Sequence, residues 1–214
     1  MRNPYLTREL CVLLFFAFSF YSCSQEKLDT NNNAYVFRFL PSGKINIYGL
    51  AFGIIGSETI CNIPGTKKSH GINIQITGQG LFIPLNPKAF KYKAIFGSDS
   101  SWMVSRLDSA NYKAIHNGLL ISTFGTMTEK TNGISISSWS SLGYFMNGIG
   151  INLISSKYAV VNGLSISINN EAYLVKGVQI GVLNRTTKLK GFQFGLWNVN
   201  KKRKLPLINW CFKE

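Results

Sequence analysis

Side chains able to do acid–base or metal chemistry are few in this chain, and their spacing limits what they can do. The two histidines, His70 and His116, lie one or two residues ahead of Gly71 and Gly118 in a recurring phrase, which reads as a place in a turn. A metal site would need spacings such as His-Glu-x-x-His or Cys-x-x-Cys, and neither is present. The Walker-type glycine loop and the Gly-x-Ser-x-Gly nucleophile turn are also absent. After the first 22 residues the carboxylates are Glu26, Asp29, Glu58, Asp99, Asp108, Glu129, Glu171 and Glu214. Hydrolysis by a carboxylate pair needs two of them brought together. Only Asp99 and Asp108 are moderately close in sequence, and a surface loop is the plainer reading of both. The expectation is a non-enzymatic protein with no catalytic residue, no cofactor and no metal ligand.

The four cysteines, Cys11, Cys23, Cys61 and Cys211, point to location instead. Arg2 and Arg8 precede an apolar run from Leu10 to Phe20, which makes residues 1–22 a secretory signal. The run is shorter than the roughly 20 residues that span a bilayer. Ser22-Cys23 resembles the end of a bacterial lipoprotein signal, so Cys23 is the expected lipidation site, although Phe20 stands where leucine is usual. The polar residues that follow suit a flexible tether over 23–34. An oxidising compartment would allow Cys61 and Cys211 to pair as a disulfide, but sequence separation says nothing about their distance. The expected location is the outer membrane or cell surface.

Any function must be carried by the elements that fill the rest of the chain, and these repeat. Between residues 117 and 205 the glycines at 118, 133, 148, 163, 177 and 191 each open a short phrase, as in Asn162-Gly163-Leu-Ser-Ile-Ser and Lys190-Gly191-Phe-Gln-Phe-Gly. The step is fifteen residues three times and fourteen twice. Apolar residues alternate after each glycine, for example Val178, Ile180 and Val182. A period of two is the mark of a strand with one buried face, so these apolar positions are expected to form the core. Asn-Gly, which tolerates positive φ, is a strong turn dipeptide.

Three all-β arrangements satisfy this pattern: a β-solenoid, an antiparallel meander, or an outer-membrane-type β-barrel with one strand per unit. The solenoid is preferred because stacking like on like gives near-identity of neighbouring units a use; its weakness is that a coil of fourteen residues encloses a thin core. Segment 35–116 reads as earlier, degenerate units with an irregular stretch at 88–115, and 206–214 as a C-terminal cap. Trp139, Tyr144, Tyr158, Tyr173 and Trp197 follow the repeat and read mostly as edge or core packing.

The net charge is +14, and removal of residues 1–22 still leaves +13. That surplus favours anionic partners: lipopolysaccharide, phospholipid or acidic polysaccharide. The export signal argues against nucleic acid. The phrases Lys176-Gly-Val-Gln-Ile-Gly and Lys190-Gly-Phe-Gln-Phe-Gly, with Phe37-Arg-Phe-Leu-Pro41 near the start, resemble a bacterial surface-repeat family of spirochaetes and Bacteroidetes. That resemblance implies an exported or surface-located protein without an assigned activity, so no site residue carries over. It weakens across Gly133 to Ser167, where the Gln-x-Gly signature is lost. The reading is an envelope scaffold or binding surface, with a lipid at Cys23 as its expected membrane anchor; the alternative is a barrel acting as pore or anchor.

Overall fold

The structure, a computed structural model, describes residues 33–40, 45–56, 68–78, 112 and 114–212. The signal segment 1–22, Cys23, Cys61, Asp99, Asp108 and nearly all of the irregular stretch 88–115 lie outside the described residues.

Ten strands follow one another in chain order: β1 Asn33–Leu40, β2 Asn46–Gly53, β3 Lys68–Gln75, β4 Ile115–Ser122 and β5 Met127–Ser137. They continue as β6 Ser140–Asn152, β7 Ser155–Ile166, β8 Asn169–Ile180, β9 Leu183–Val199 and β10 Lys204–Cys211. Each strand bonds to the next in sequence, and every pairing from β1 to β9 is parallel. The arrangement is a β-solenoid of about eight turns. A meander and an up-and-down barrel both need antiparallel neighbours, and among the described residues only β9 and β10 pair that way.

Register follows the repeat. Gly49, Gly71, Gly118, Gly133, Gly148, Gly163, Gly177 and Gly191 stack in one column, so the earlier units at β2 and β3 belong to the same array. The Asn-Gly pairs are not hairpin turns. They lie inside continuous strands, where a glycine with φ near +130° turns the chain through a corner without breaking the ladder. A Cβ on Gly163 would press into the carbonyl oxygen of Gly148 in the preceding coil, so the close stacking itself demands glycine. The second corner is a two-residue bend, as at Leu153-Ile154 and Gly181-Val182.

The interior is not the one that the alternation predicts. Before the glycine corner the inward residues of the later coils are apolar, and Met146, Tyr158, Val161, Ala172, Val175 and Leu189 form one buried cluster. In the earlier coils the column of Met146 holds buried Ser69, His116 and Thr131. After the corner the pattern inverts. Ser135, Ser165, Gln179 and Gln193 are fully buried, whereas Ile134, Ile136, Ile149, Ile151, Phe192 and Phe194 face outward. The expectation that the alternating apolar residues form the core is therefore overturned for this half of each coil. In the coil of β7 the physical reason is a small cross-section: the Ser165 hydroxyl is 2.8 Å from that of Ser156 on the other side of its own coil, a gap that two branched side chains cannot share. The same column takes Leu120 in an earlier coil and Gln179 and Gln193 in later ones.

Polar residues fit because the coil repeat matches amide geometry. Stacked strands lie about 4.8 Å apart, which lets one carboxamide bond to the next. Asn170 donates to Asn184 and Asn184 to Asn198, each at 2.8 Å. Spare amide protons go to main-chain carbonyls, from Asn170 to Ile180 and from Asn184 to Phe194, both at 2.9 Å. Buried polar groups satisfied in this way cost little and fix one register. At the C-terminal end β10 reverses direction, and Asn209 on it donates to Gln193 at 3.0 Å. Pro206 and the bulge between Leu205 and Leu207 interrupt this last strand, which makes it a poor template for further pairing.

Candidate functional site: an outward apolar face

The inverted half of the coils builds the surface most unlike an ordinary protein exterior. One residue past each glycine corner, a column runs through Ile134, Ile149, Leu164, Val178 and Phe192. Two residues further along each strand a second column runs through Ile136, Ile151, Ile166, Ile180 and Phe194. Both continue into the earlier coils as Leu119 and Ile121, Ile72 and Ile74, and Leu50 and Phe52. A third column, Leu153, Ile168, Val182 and Leu196, stands across the second bend, with Leu153 61% exposed and Leu196 66%. The floor between the second and third columns is made of Ser137, Asn152, Ser167, Gly181 and Gly195, small or amide side chains that leave an open groove of about 810 Å³.

None of these outward positions carries a charge. Contiguous apolar surface of this extent is uncommon on a monomer and marks a contact site. Cations stand beside it. The column immediately before the glycines begins with stacked rings, Tyr35 on Tyr48 and Tyr48 on His70. It passes through an asparagine ladder, Asn162 to Asn147 at 2.7 Å and Asn147 to Asn132 at 2.6 Å, and ends in Lys176 and Lys190. The turn between β9 and β10 holds Lys201, Lys202 and Arg203, and β10 opens on Lys204. The main-chain amides of Lys202 and Arg203 both donate to Asn200 Oδ1 at 2.9 Å, and the Arg203 guanidinium covers the Trp210 ring at 4.8 Å. Trp197, Trp210 and Phe212 are exposed around this region, and Trp139 is exposed at the bend between β5 and β6.

The described residues include twelve Lys and Arg and only two carboxylates. Both acids are engaged: Glu171 meets Lys157 at 3.3 Å with both side chains largely buried, and Glu129 accepts the Ala114 amide at 2.9 Å. The surplus charge of the composition therefore has no acidic surface opposing it among the described residues.

The histidines do not converge on a shared site. His70 is part of the stacked column and lies 3.2 Å from the Asn117 amide. His116 is wholly buried, its Nδ1 3.3 Å from the Ser69 hydroxyl, and burial lowers its pKa to about 4, so it is neutral. No group of three His, Cys, Asp or Glu comes together among the described residues. Tyr144 and Tyr158 are core residues, and burial pushes the Tyr158 hydroxyl up to about 12. Cys211 lies at the end of β10, half-buried against the apolar cluster; its expected partner Cys61 is outside the described residues.

The outward face was the feature that sequence reasoning assigned to the interior. A signal for it was present: Asn170, Asn184 and Asn198 recur at fourteen residues, as strictly as the apolar positions do. Polar residues that recur in strict phase are ladder residues; this ladder closes in the interior, whereas that of Asn132, Asn147 and Asn162 is half-buried. Comparison with family models, with curated proteins and with solved structures returns no match.

Proposed function

We propose that the chain is an exported, non-enzymatic scaffold of the bacterial cell envelope and that the outward apolar face is its contact surface. The observation that carries this reading is the face itself: three columns without one charged side chain, held flat by a ladder of parallel strands. A rigid array of this kind presents a fixed surface at little entropic cost on binding. The basic, apolar start of the chain and the surface-repeat resemblance support export, with Cys23 as the anchor point.

The test is fractionation of cells expressing the tagged full chain, with protease added to intact and to lysed cells. The expected result is recovery with the envelope and fatty-acid labelling that Cys23→Ala abolishes. Recovery of the intact chain in the soluble cytosol would overturn the reading.

A further inference from the structure

We propose that the apolar face is a docking surface for a lipid bilayer with anionic phospholipid headgroups; this rests on the reading of that face as the contact surface. Four observations lead there. First, the face is a sheet surface without a deep cavity, and its groove is long and open, so it suits a flat, deformable partner. Second, its dimensions are modest. Eight coils at about 4.8 Å and four residues at about 3.3 Å give roughly 35 Å by 13 Å. That is about 450 Å² in projection, an elongated strip of one sheet that can lie along a bilayer surface.

Third, charge separates a bilayer from a second copy. In a face-to-face pair Lys176, Lys190 and the 201–204 cluster would find no carboxylate on either rim to oppose them among the described residues. An anionic headgroup layer opposes all of them at once. Fourth, exposed tryptophan at the edge, with lysine and arginine beside it, is the composition of a protein segment at the membrane–water boundary. The apolar columns enter the acyl boundary, and the basic rim sits among the phosphates.

The experiment is vesicle co-sedimentation of the full chain, with phosphatidylcholine alone and with phosphatidylcholine containing phosphatidylglycerol. The parent is expected to sediment with the anionic vesicles and to be released by salt. Ile151→Asp with Ile166→Asp should abolish this binding. Lys176→Gln with Lys190→Gln should weaken it by about tenfold or more. All variants keep residues 1–32, so binding through the N-terminus alone would leave the four substitutions without effect, and that result overturns the proposal. If the aspartate pair fails to fold by circular dichroism, Trp197→Phe serves instead. Quenching of tryptophan fluorescence by brominated lipid should fall in that variant, and undiminished quenching overturns the proposal. Sedimentation velocity without vesicles should show a monomer; a dimer that the aspartate pair dissociates would overturn the proposal by assigning the face to a second copy. A chain that reaches the envelope but ignores vesicles refutes this inference alone, whereas a cytosolic chain refutes the export reading.

Discussion

The side-chain amide of Gln193 donates to the side-chain oxygen of Gln179, one coil earlier, across 2.8 Å in a fully buried position. Gln193 in turn accepts from Asn209 on the capping strand at 3.0 Å. The line of amides therefore runs from the last coils of the array into its cap. It has a consequence for the exterior: when the inward residues of a strand are polar, its apolar residues are forced out, and the contact face is the other side of the same ladder.

Removing one rung of the companion asparagine ladder should be costly. Asn184 accepts from Asn170 and donates to Asn198 and to the Phe194 carbonyl. Asn184→Leu keeps the volume and strands these groups, at about 1–3 kcal/mol for each buried group left unpaired. Urea unfolding should show a loss of about 3 kcal/mol or more. A neutral result would mean that the column does not stabilise the array.

The glycine column should be equally intolerant, for a backbone reason. Gly163 has φ +133°, and its missing Cβ leaves room for the Gly148 carbonyl. Gly163→Ala combines a backbone conformation worth about 1–3 kcal/mol of strain with a steric conflict against main chain. The expected outcome is a clear fall in thermal midpoint together with loss of cooperativity between the coils on either side. Differential scanning calorimetry reads both.

His116 gives the array a dependence on pH. Burial depresses its pKa from 6.5 to about 4, so the folded chain holds it neutral while the unfolded chain protonates it near 6.5. Stability is then fully present above about pH 6.5 and falls as the pH drops toward 4, below which this residue adds no further loss. The shift corresponds to about 3 kcal/mol. Denaturant unfolding at several pH values should show this decline in the parent and a flatter profile in His116→Gln, after allowance for the carboxylates.

Much of the architecture was legible because the repeat is strict. Gly118, Gly133, Gly148 and Gly163 recur every fifteen residues, and only a structure that stacks equivalent residues gives such regularity a purpose. The facing of each strand was not legible from alternation alone. A period of two tells that Leu164 and Ile166 share one side and Ser165 the other, without telling which side is inside. Hydrophobicity is a sound guide where apolar residues do cluster inside, as with Tyr158, Val161 and Val175. It misleads where the coil narrows to the Ser156–Ser165 distance. The corner role of Asn-Gly was hidden for a related reason, since positive φ serves a hairpin and a solenoid corner alike.

Two substitutions at adjacent positions test the facing of the strands directly. Ser165 is 1% exposed, bonded to Asn170 at 2.7 Å and close to Ser156 at 2.8 Å. Ile166 points the other way, in the second outward column. If the alternation were read in the ordinary sense, Ser165→Ile would decorate the surface and Ile166→Ser would hollow the core. The structure requires the opposite. Ser165→Ile forces a branched side chain into a gap spanned by a hydrogen bond and takes the partner from the Ser156 hydroxyl, an expected loss of about 2–4 kcal/mol. Ile166→Ser removes part of an outward column and some strand propensity, worth about 1 kcal/mol or less. Urea midpoints for the pair decide the matter: a larger loss for Ile166→Ser than for Ser165→Ile would turn every strand over, and the outward face with it.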